Sequence, residues 1–126
     1  MTEYHILVVE DDPALLDLLN QKLTSEGFAL ILAPTGQQAL DLLERQRLDL
    51  VLLDILLPDI DGITILQEIS HRDTTRHLPV VIFSNLDDEG SKQQVAAVGS
   101  YTYLVKAKTE LADLVAVIRG KLGGDN

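Results

Sequence analysis

The sequence predicts an α/β domain built on a doubly wound, five-stranded parallel sheet in the order 2-1-3-4-5. Three observations predict it. Short apolar runs, several rich in β-branched residues, alternate five times with segments of helical periodicity. These runs lack the in-out alternation of a half-exposed sheet, so they read as strands buried on both faces and covered by helices. Polar and charged residues close the runs at their C-terminal ends, where ligands of such sheets bind. Right-handed crossovers leave few topologies, and the leading one has its switch point between the first and third strands.

The first strand is Ile6-Leu7-Val8-Val9, ending in Glu10-Asp11-Asp12-Pro13. Proline suits the first turn of a helix, and carboxylates favour its positive end, so Pro13 starts a helix that Asp12 caps. Leu15, Leu18, Leu19 and Leu23 recur at helical spacing as its core stripe, and Gly27 stops it. Ala29-Leu30-Ile31-Leu32-Ala33 is the second strand. Thr35-Gly36 opens a helix carrying Ala39, Leu40 and Leu43. Leu50-Val51-Leu52-Leu53-Asp54 is the third strand, again apolar until its terminal carboxylate. Pro58 and Asp61-Gly62 mark a loop and a helix start, with Ile63, Leu66 and Ile69 on the inner face. Pro79 to Ser84 is the fourth strand. A polar loop from Asn85 to Gly90 leads to a helix with Val95 and Val98 that ends at Gly99. Tyr101 to Lys106 is the fifth strand. Leu111, Leu114, Val115, Ile118 and Leu122 line the last helix. Residues 1–122 form one domain and 123–126 a flexible tail.

Composition bounds the function. At 126 residues the chain buries enough surface to fold without a metal or a disulfide. With no cysteine, thiolate zinc sites, iron–sulfur clusters and cysteine nucleophiles are excluded. Twenty acidic side chains against ten Lys and Arg give a net charge of −10, which disfavours nucleic acid. No apolar run is long enough to span a membrane, and the first residues lack a signal peptide's basic start. The reading is a soluble cytoplasmic protein that binds neither nucleic acid nor membrane. His5, His71 and His77 show no metal-ligand spacing and are assigned to surface or packing.

Chemistry concentrates where the strands end. The first supplies Glu10-Asp11-Asp12, the third Asp54, the fourth Ser84 and the fifth Lys106. The first and third strands are neighbours in the predicted order, so their carboxylates converge. Clustered carboxylates repel one another, and a hard divalent cation relieves that strain. Magnesium is the natural guest, because it takes oxygen ligands and shares its shell with phosphate. Ionised Glu10, Asp11 and Asp54 are balanced by one dication and the Lys106 ammonium. A centre so balanced would accept a phosphoryl group on a carboxylate, with the Ser84 hydroxyl donating to one of its oxygens.

These residues resemble the receiver domain of bacterial two-component response regulators, the CheY-like family, over nearly the whole chain. The motifs are Ile6 to Asp12, Asp54-Ile55-Leu56-Leu57-Pro58-Asp59-Ile60-Asp61-Gly62, Ser84, and Tyr103-Leu104-Val105-Lys106. The resemblance implies the flavodoxin/CheY-like (βα)5 fold and a receiver domain over 1–122. It implies that Asp54 is the phosphoacceptor. Glu10 and Asp11 resemble the acidic pair that holds Mg²⁺, with the Leu56 main-chain carbonyl as a further ligand. Ser84 resembles the hydroxyl residue that turns towards the phosphoryl group, Lys106 the phosphate-pairing lysine, and Tyr103 the aromatic switch. The implied partners are a sensor histidine kinase or a histidine phosphotransfer protein, and a downstream protein on the face of the fourth helix, fifth strand and fifth helix. The implied protein is a phosphoacceptor regulator rather than an enzyme. With only a short tail after Leu122, it is expected to stand alone without an output domain or to be an excised receiver.

Two departures from the family pattern matter. Ala107 follows Lys106 where the family usually has proline. A trans bond is expected there, with a rearranged loop, a shifted aim for the lysine, and Thr109 as cap of the last helix. Leu56 and Leu86 stand two residues after Asp54 and Ser84, where apolar side chains would hinder an attacking water and slow self-dephosphorylation. Three rival readings fit the residues less well. The alternative is a phosphorylation-independent interaction domain on the same fold: the intact acidic pair, Asp54, Ser84 and Lys106 argue against it, and Ala107 mildly for it. An FMN carrier would meet Glu10-Asp11-Asp12-Pro13 where it needs a phosphate loop. A phosphohydrolase would want an acid at Leu56.

Overall fold

A computed structural model describes residues 3–123 of the chain; of the predicted tail, only Gly123 falls among them. Five strands and five α-helices alternate: β1 His5–Val9, α1 Pro13–Ser25, β2 Ala29–Ala33, α2 Gly36–Arg45, β3 Leu50–Leu53, α3 Gly62–His71, β4 Val80–Ser84, α4 Glu89–Val98, β5 Thr102–Val105 and α5 Leu111–Lys121. A single 3-10 turn, Lys106–Lys108, links β5 to α5. Every strand pair is parallel, and the order is β2-β1-β3-β4-β5, as the alternation predicts.

Strand alternation divides the core into two layers. Leu7, Val9, Val51, Leu53, Val80 and Ile82 face α2, α3 and α4, where they meet Ala39, Leu43, Ile65, Leu66, Ile69 and Val95. Ile6, Val8, Leu50, Leu52, Val81 and Phe83 face the other way, against Leu19 and Leu23 of α1 and Leu114, Val115 and Ile118 of α5. The three central strands therefore have no polar face, which explains their continuous apolar runs.

Helix starts follow local chemistry. Asp12 accepts the Ala14 N–H at 3.0 Å, Thr35 the Gln38 N–H at 3.2 Å, and Asp61 the Ile63 N–H at 3.0 Å. At the other end of α1, Gly27 takes φ +95°, a backbone shape that side chains resist.

Four local expectations are corrected. Leu18 is 48% exposed rather than part of the core. At about 100° per residue, Leu15, Leu16, Leu19 and Leu23 share one stripe and Leu18 falls roughly 60° outside it. Helix α4 begins at Glu89, inside the predicted loop, because Asp88 caps it by accepting the Ser91 N–H at 2.9 Å. Strand β5 is shorter than predicted at both ends, and Lys106 has already left the ladder for the 3-10 turn. Thr109 does not cap α5: its hydroxyl turns back and donates to the Val105 carbonyl at 2.8 Å, leaving Glu110 at the cap position without a side-chain bond.

Leu18 and Leu19 give a direct check of this packing. Leu19→Ala should lose roughly 2–5 kcal/mol of unfolding free energy, whereas Leu18→Ala should stay within about 0.5 kcal/mol of the parent. Urea unfolding of the two variants measures the contrast.

Candidate functional site

Parallel strands deliver their ends to one edge, and the register sets which residues meet there. Val9 pairs with Leu53, so Glu10 and Asp54, each one step further on, stand side by side. The Asp54 N–H donates to the Val9 carbonyl at 3.1 Å and the Glu10 N–H to the Ala33 carbonyl at 3.1 Å, which holds both past the ladder. Ser84 pairs with Val105, so Lys106 leaves the sheet one residue beyond the Ser84 level.

Glu10 and Asp54 are buried, while Asp11 is exposed. Their carboxylate oxygens, with one from Asp11, lie within 4.8 Å of one another. The Lys106 ammonium reaches between two of them, 2.6 Å from Glu10 Oε1 and 2.7 Å from Asp54 Oδ2. The remaining oxygens are held by main chain. The Leu56 N–H donates to Asp54 Oδ1 and the Asp12 N–H to Glu10 Oε2, each at 3.0 Å. A cleft of about 310 Å³ opens above the group, with Asn85, Leu56 and Pro58 among its walls.

Burial pushes the Glu10 carboxyl above its usual range, against the opposing pull of the Lys106 bond and the Asp12 N–H. Burial also works to lower the Lys106 ammonium, but the Asp54 and Glu10 carboxylates outweigh it and hold that group above its ordinary value. Three carboxylates against one ammonium leave a net deficit of positive charge. All the side-chain donors are hard carboxylate oxygens, so the residues present fit a magnesium-sized divalent ion.

The other predicted site residues occupy the margins. Ser84 is fully buried, and its oxygen accepts the Leu86 N–H at 3.3 Å. Tyr103 is half-buried and its hydroxyl donates to the Leu86 carbonyl. Leu56 is 60% exposed at the rim, and Leu86 is half-buried. The Lys106–Ala107 peptide is trans, as expected. The Lys106 ammonium reaches Asp54 across this turn. The loop has found a new tie: the Ala107 N–H donates to Asn85 Oδ1 at 2.9 Å, a bond that a proline there has no N–H to make.

Two residues with structural work at this edge escaped the sequence reading. Asp59 accepts the Gly36 N–H at 2.9 Å and the Gln37 N–H at 3.0 Å, closing the start of α2 from a different loop. Its partners lie 22 and 23 residues away, so no local capping signal marks it. Asn85 read only as the start of a polar loop.

A doubly wound α/β domain with a carboxylate–lysine centre at its switch point is the class that fold and site define. Residues 6–119 match the response regulator receiver domain, and the chain belongs to that family, a component of two-component signalling. It is 39% identical over 101 residues to the response regulator PleD of Caulobacter vibrioides, a match covering 80% of this chain and 22% of that protein. The chain thus spans about a fifth of that relative's length. A CheY-like receiver domain protein from Methanospirillum hungatei superposes with a TM-score of 0.90 at 27% identity, covering 98% of this chain and 96% of the other. The receiver domain of a sensor histidine kinase from Pseudomonas aeruginosa gives a TM-score of 0.87 at 30% identity, covering 97% and 99%. That structure holds a magnesium ion in its active-site cleft. Receiver domains are phosphoacceptor regulators that bind Mg²⁺ at an acidic pocket and work with histidine kinases or phosphotransfer proteins. No described helix is long and apolar enough to cross a membrane.

The Asp59 contact makes a pH prediction. The Gly36 and Gln37 N–H groups hold its carboxyl below the ordinary value of 3.8. A carboxyl lowered by folding stabilises the fold above its unfolded value and loses that contribution as pH falls through the folded one. Asp59→Ala should therefore unfold at lower urea than the parent at pH 7, and the gap should shrink below pH 3.8. Paired urea titrations across that range measure it.

Proposed function

We propose that this chain receives a phosphoryl group on Asp54 from a phosphohistidine and passes the signal on by changing a protein-binding surface. The observation that carries this reading is the Lys106 ammonium 2.7 Å from Asp54 Oδ2, with the Glu10 and Asp11 oxygens beside it. A buried carboxylate with an ammonium already in place is a nucleophile whose product charge is met in advance. An Asp54 oxygen attacks phosphorus, the phosphorus–nitrogen bond of the phosphohistidine breaks, and its electron pair returns to the imidazole. The product is an aspartyl phosphate.

Glu10, Asp11 and Asp54, with the Leu56 main-chain carbonyl, would hold Mg²⁺, which supplies positive charge against the transferring oxygens. Lys106 pairs with the phosphoryl group and orients it. Ser84 turns its hydroxyl inward towards the new charge and gives up the Leu86 N–H it accepts at rest. Tyr103, bonded to the same residue through the Leu86 carbonyl, follows that movement. The rearrangement reads out on the α4–β5–α5 face, where a downstream protein binds. The donor is a sensor histidine kinase or a histidine phosphotransfer protein, and the setting is cytoplasmic. Asp12 serves as a cap, since it accepts the Ala14 N–H.

Incubation with Mg²⁺ and acetyl phosphate, read by intact mass, tests the reaction. The parent chain should gain one phosphoryl group, Asp54→Ala none, and omission of Mg²⁺ should suppress the gain. A parent chain that stays unmodified with several donors and kinases would instead support an interaction domain that works without phosphorylation.

Leu56 and Leu86 bear on how long the phosphoryl group lasts. Apolar side chains beside the phosphoryl position exclude the water that must attack it. The phosphorylated parent should decay slowly, and Leu56→Asn or Leu86→Gln should shorten its half-life severalfold in a timed decay assay. Unchanged half-lives in both variants would show that the leucines do not shield the site.

A further inference from the structure

We infer that Asn85 is a positioning residue for the phosphoryl site: by accepting the Ala107 N–H it fixes the turn that carries Lys106 and so aims the ammonium at Asp54. The inference deepens the proposed phosphoacceptor reading and rests on it for the reaction that is served.

Lys106 faces a local problem. It is the first residue past the β5 ladder, and its ammonium sits on a long flexible stem. Where that ammonium dwells depends on the turn beneath it. The turn's own bonds are few: the Thr109 N–H reaches the Lys106 carbonyl at a long 3.3 Å, and the Thr109 hydroxyl reaches the Val105 carbonyl. Neither ties the turn to the rest of the rim.

The β4–α4 loop supplies that tie. Three consecutive loop residues each hold a different residue around Lys106. Asn85 Oδ1 accepts the Ala107 N–H at 2.9 Å, the Leu86 carbonyl accepts the Tyr103 hydroxyl, and Asp87 Oδ2 lies 2.6 Å from the Lys108 ammonium. The Asp87 pair is largely exposed and worth little by itself. The Tyr103 bond acts three residues upstream of the lysine. The Asn85 bond acts on the peptide unit that directly follows Lys106. Because a backbone N–H must meet an oxygen, it also sets which way the Asn85 amide faces. Asn85 belongs to the wall of the cleft that holds Glu10, Asp54 and Lys106, so the tie lies at the reacting edge. Ala107 and Asn85 thus work as a pair: the first offers an N–H and the second receives it.

The test uses Asn85→Ala, Ala107→Pro and the double variant in the full chain. Phosphoryl uptake from acetyl phosphate at saturating Mg²⁺ should slow roughly threefold to tenfold in each single variant, the range expected for loss of one exposed hydrogen bond. Mg²⁺ affinity should stay within about twofold, because no metal-side carboxylate is touched. The double variant should be no slower than the slower single one, since both remove the same bond. Unchanged uptake in Asn85→Ala, losses that multiply in the double variant, or Mg²⁺ affinity falling in step with the rate would each overturn the inference. Nuclear magnetic resonance of the unphosphorylated chain gives an independent reading. In Asn85→Ala the Ala107 amide should lose exchange protection and the Lys106 ammonium resonance should shift; unchanged spectra overturn the inference. A parent chain inert to every phosphodonor would sink the proposed function, and the spectra would then decide the role of Asn85 alone. Truncation of the exposed Asn85 side chain leaves the core intact, so a misfolded Ala107→Pro would still leave a decisive variant.

Discussion

The ammonium of Lys106 lying between Glu10 and Asp54 is the contact on which the proposed chemistry depends. Two buried carboxylates side by side are costly, and removing the one cation that touches both would leave them uncompensated. The same contact makes Asp54 reactive in the proposed sense. An oxygen already facing a positive charge, in a cleft walled by leucine and proline, meets little reorganisation when phosphorus arrives. Stability and chemistry thus draw on one arrangement, and the sheet exists to hold it. Parallel strands end together, so four segments distant in sequence can each place one group at the same edge.

The loop after Asp54 shows how the backbone is made to serve that edge. It is pinned at three points. The Leu56 N–H donates to Asp54, the Gly62 N–H donates to the Ile55 carbonyl at 3.0 Å, and Asp59 reaches across to the start of α2. Gly62 is there for closeness: a Cβ at that position would lie 2.2 Å from the Ile55 Cα and 2.8 Å from the Asp54 carbonyl oxygen. The helix can therefore start hard against the strand that leads to Asp54. The β4–α4 loop is tied on the opposite side of the cleft through Asn85, Leu86 and Asp87. The rim of the cleft is thus held from both sides.

Membership in the receiver family and the solved structures it resembles give this geometry its context, and the chain's own residues give it its particulars. An alanine after the lysine removes the ring of the family's usual proline. The structure shows an exchange. The ring's conformational restraint is absent, and an N–H that proline lacks now bonds to Asn85. The lysine reaches Asp54 all the same.

Much of this was legible in the one-dimensional pattern. Continuous apolar runs at Ile6–Val9, Leu50–Leu53 and Val80–Phe83 required strands buried on both faces, and their alternation with helical stripes required parallel order. Parallel order alone brings Glu10, Asp11, Asp54 and Lys106 to one edge, because every strand must end there. Local caps such as Asp12, Thr35 and Asp61 were readable because each stands just ahead of an apolar helical stripe, which Asp88, ahead of the polar Glu89-Gly90-Ser91-Lys92, does not. What the chain could not announce were contacts between groups far apart in sequence. Asp59 finds Gly36 and Asn85 finds Ala107 through choices made only once the loops pack. Leu18 shows the same division at a smaller scale: composition marks it as apolar, but the direction in which α1 meets the sheet left it in water. Periodicity is a local property and survives in sequence; the pairing of loop with loop is decided by the closed surface of the folded domain.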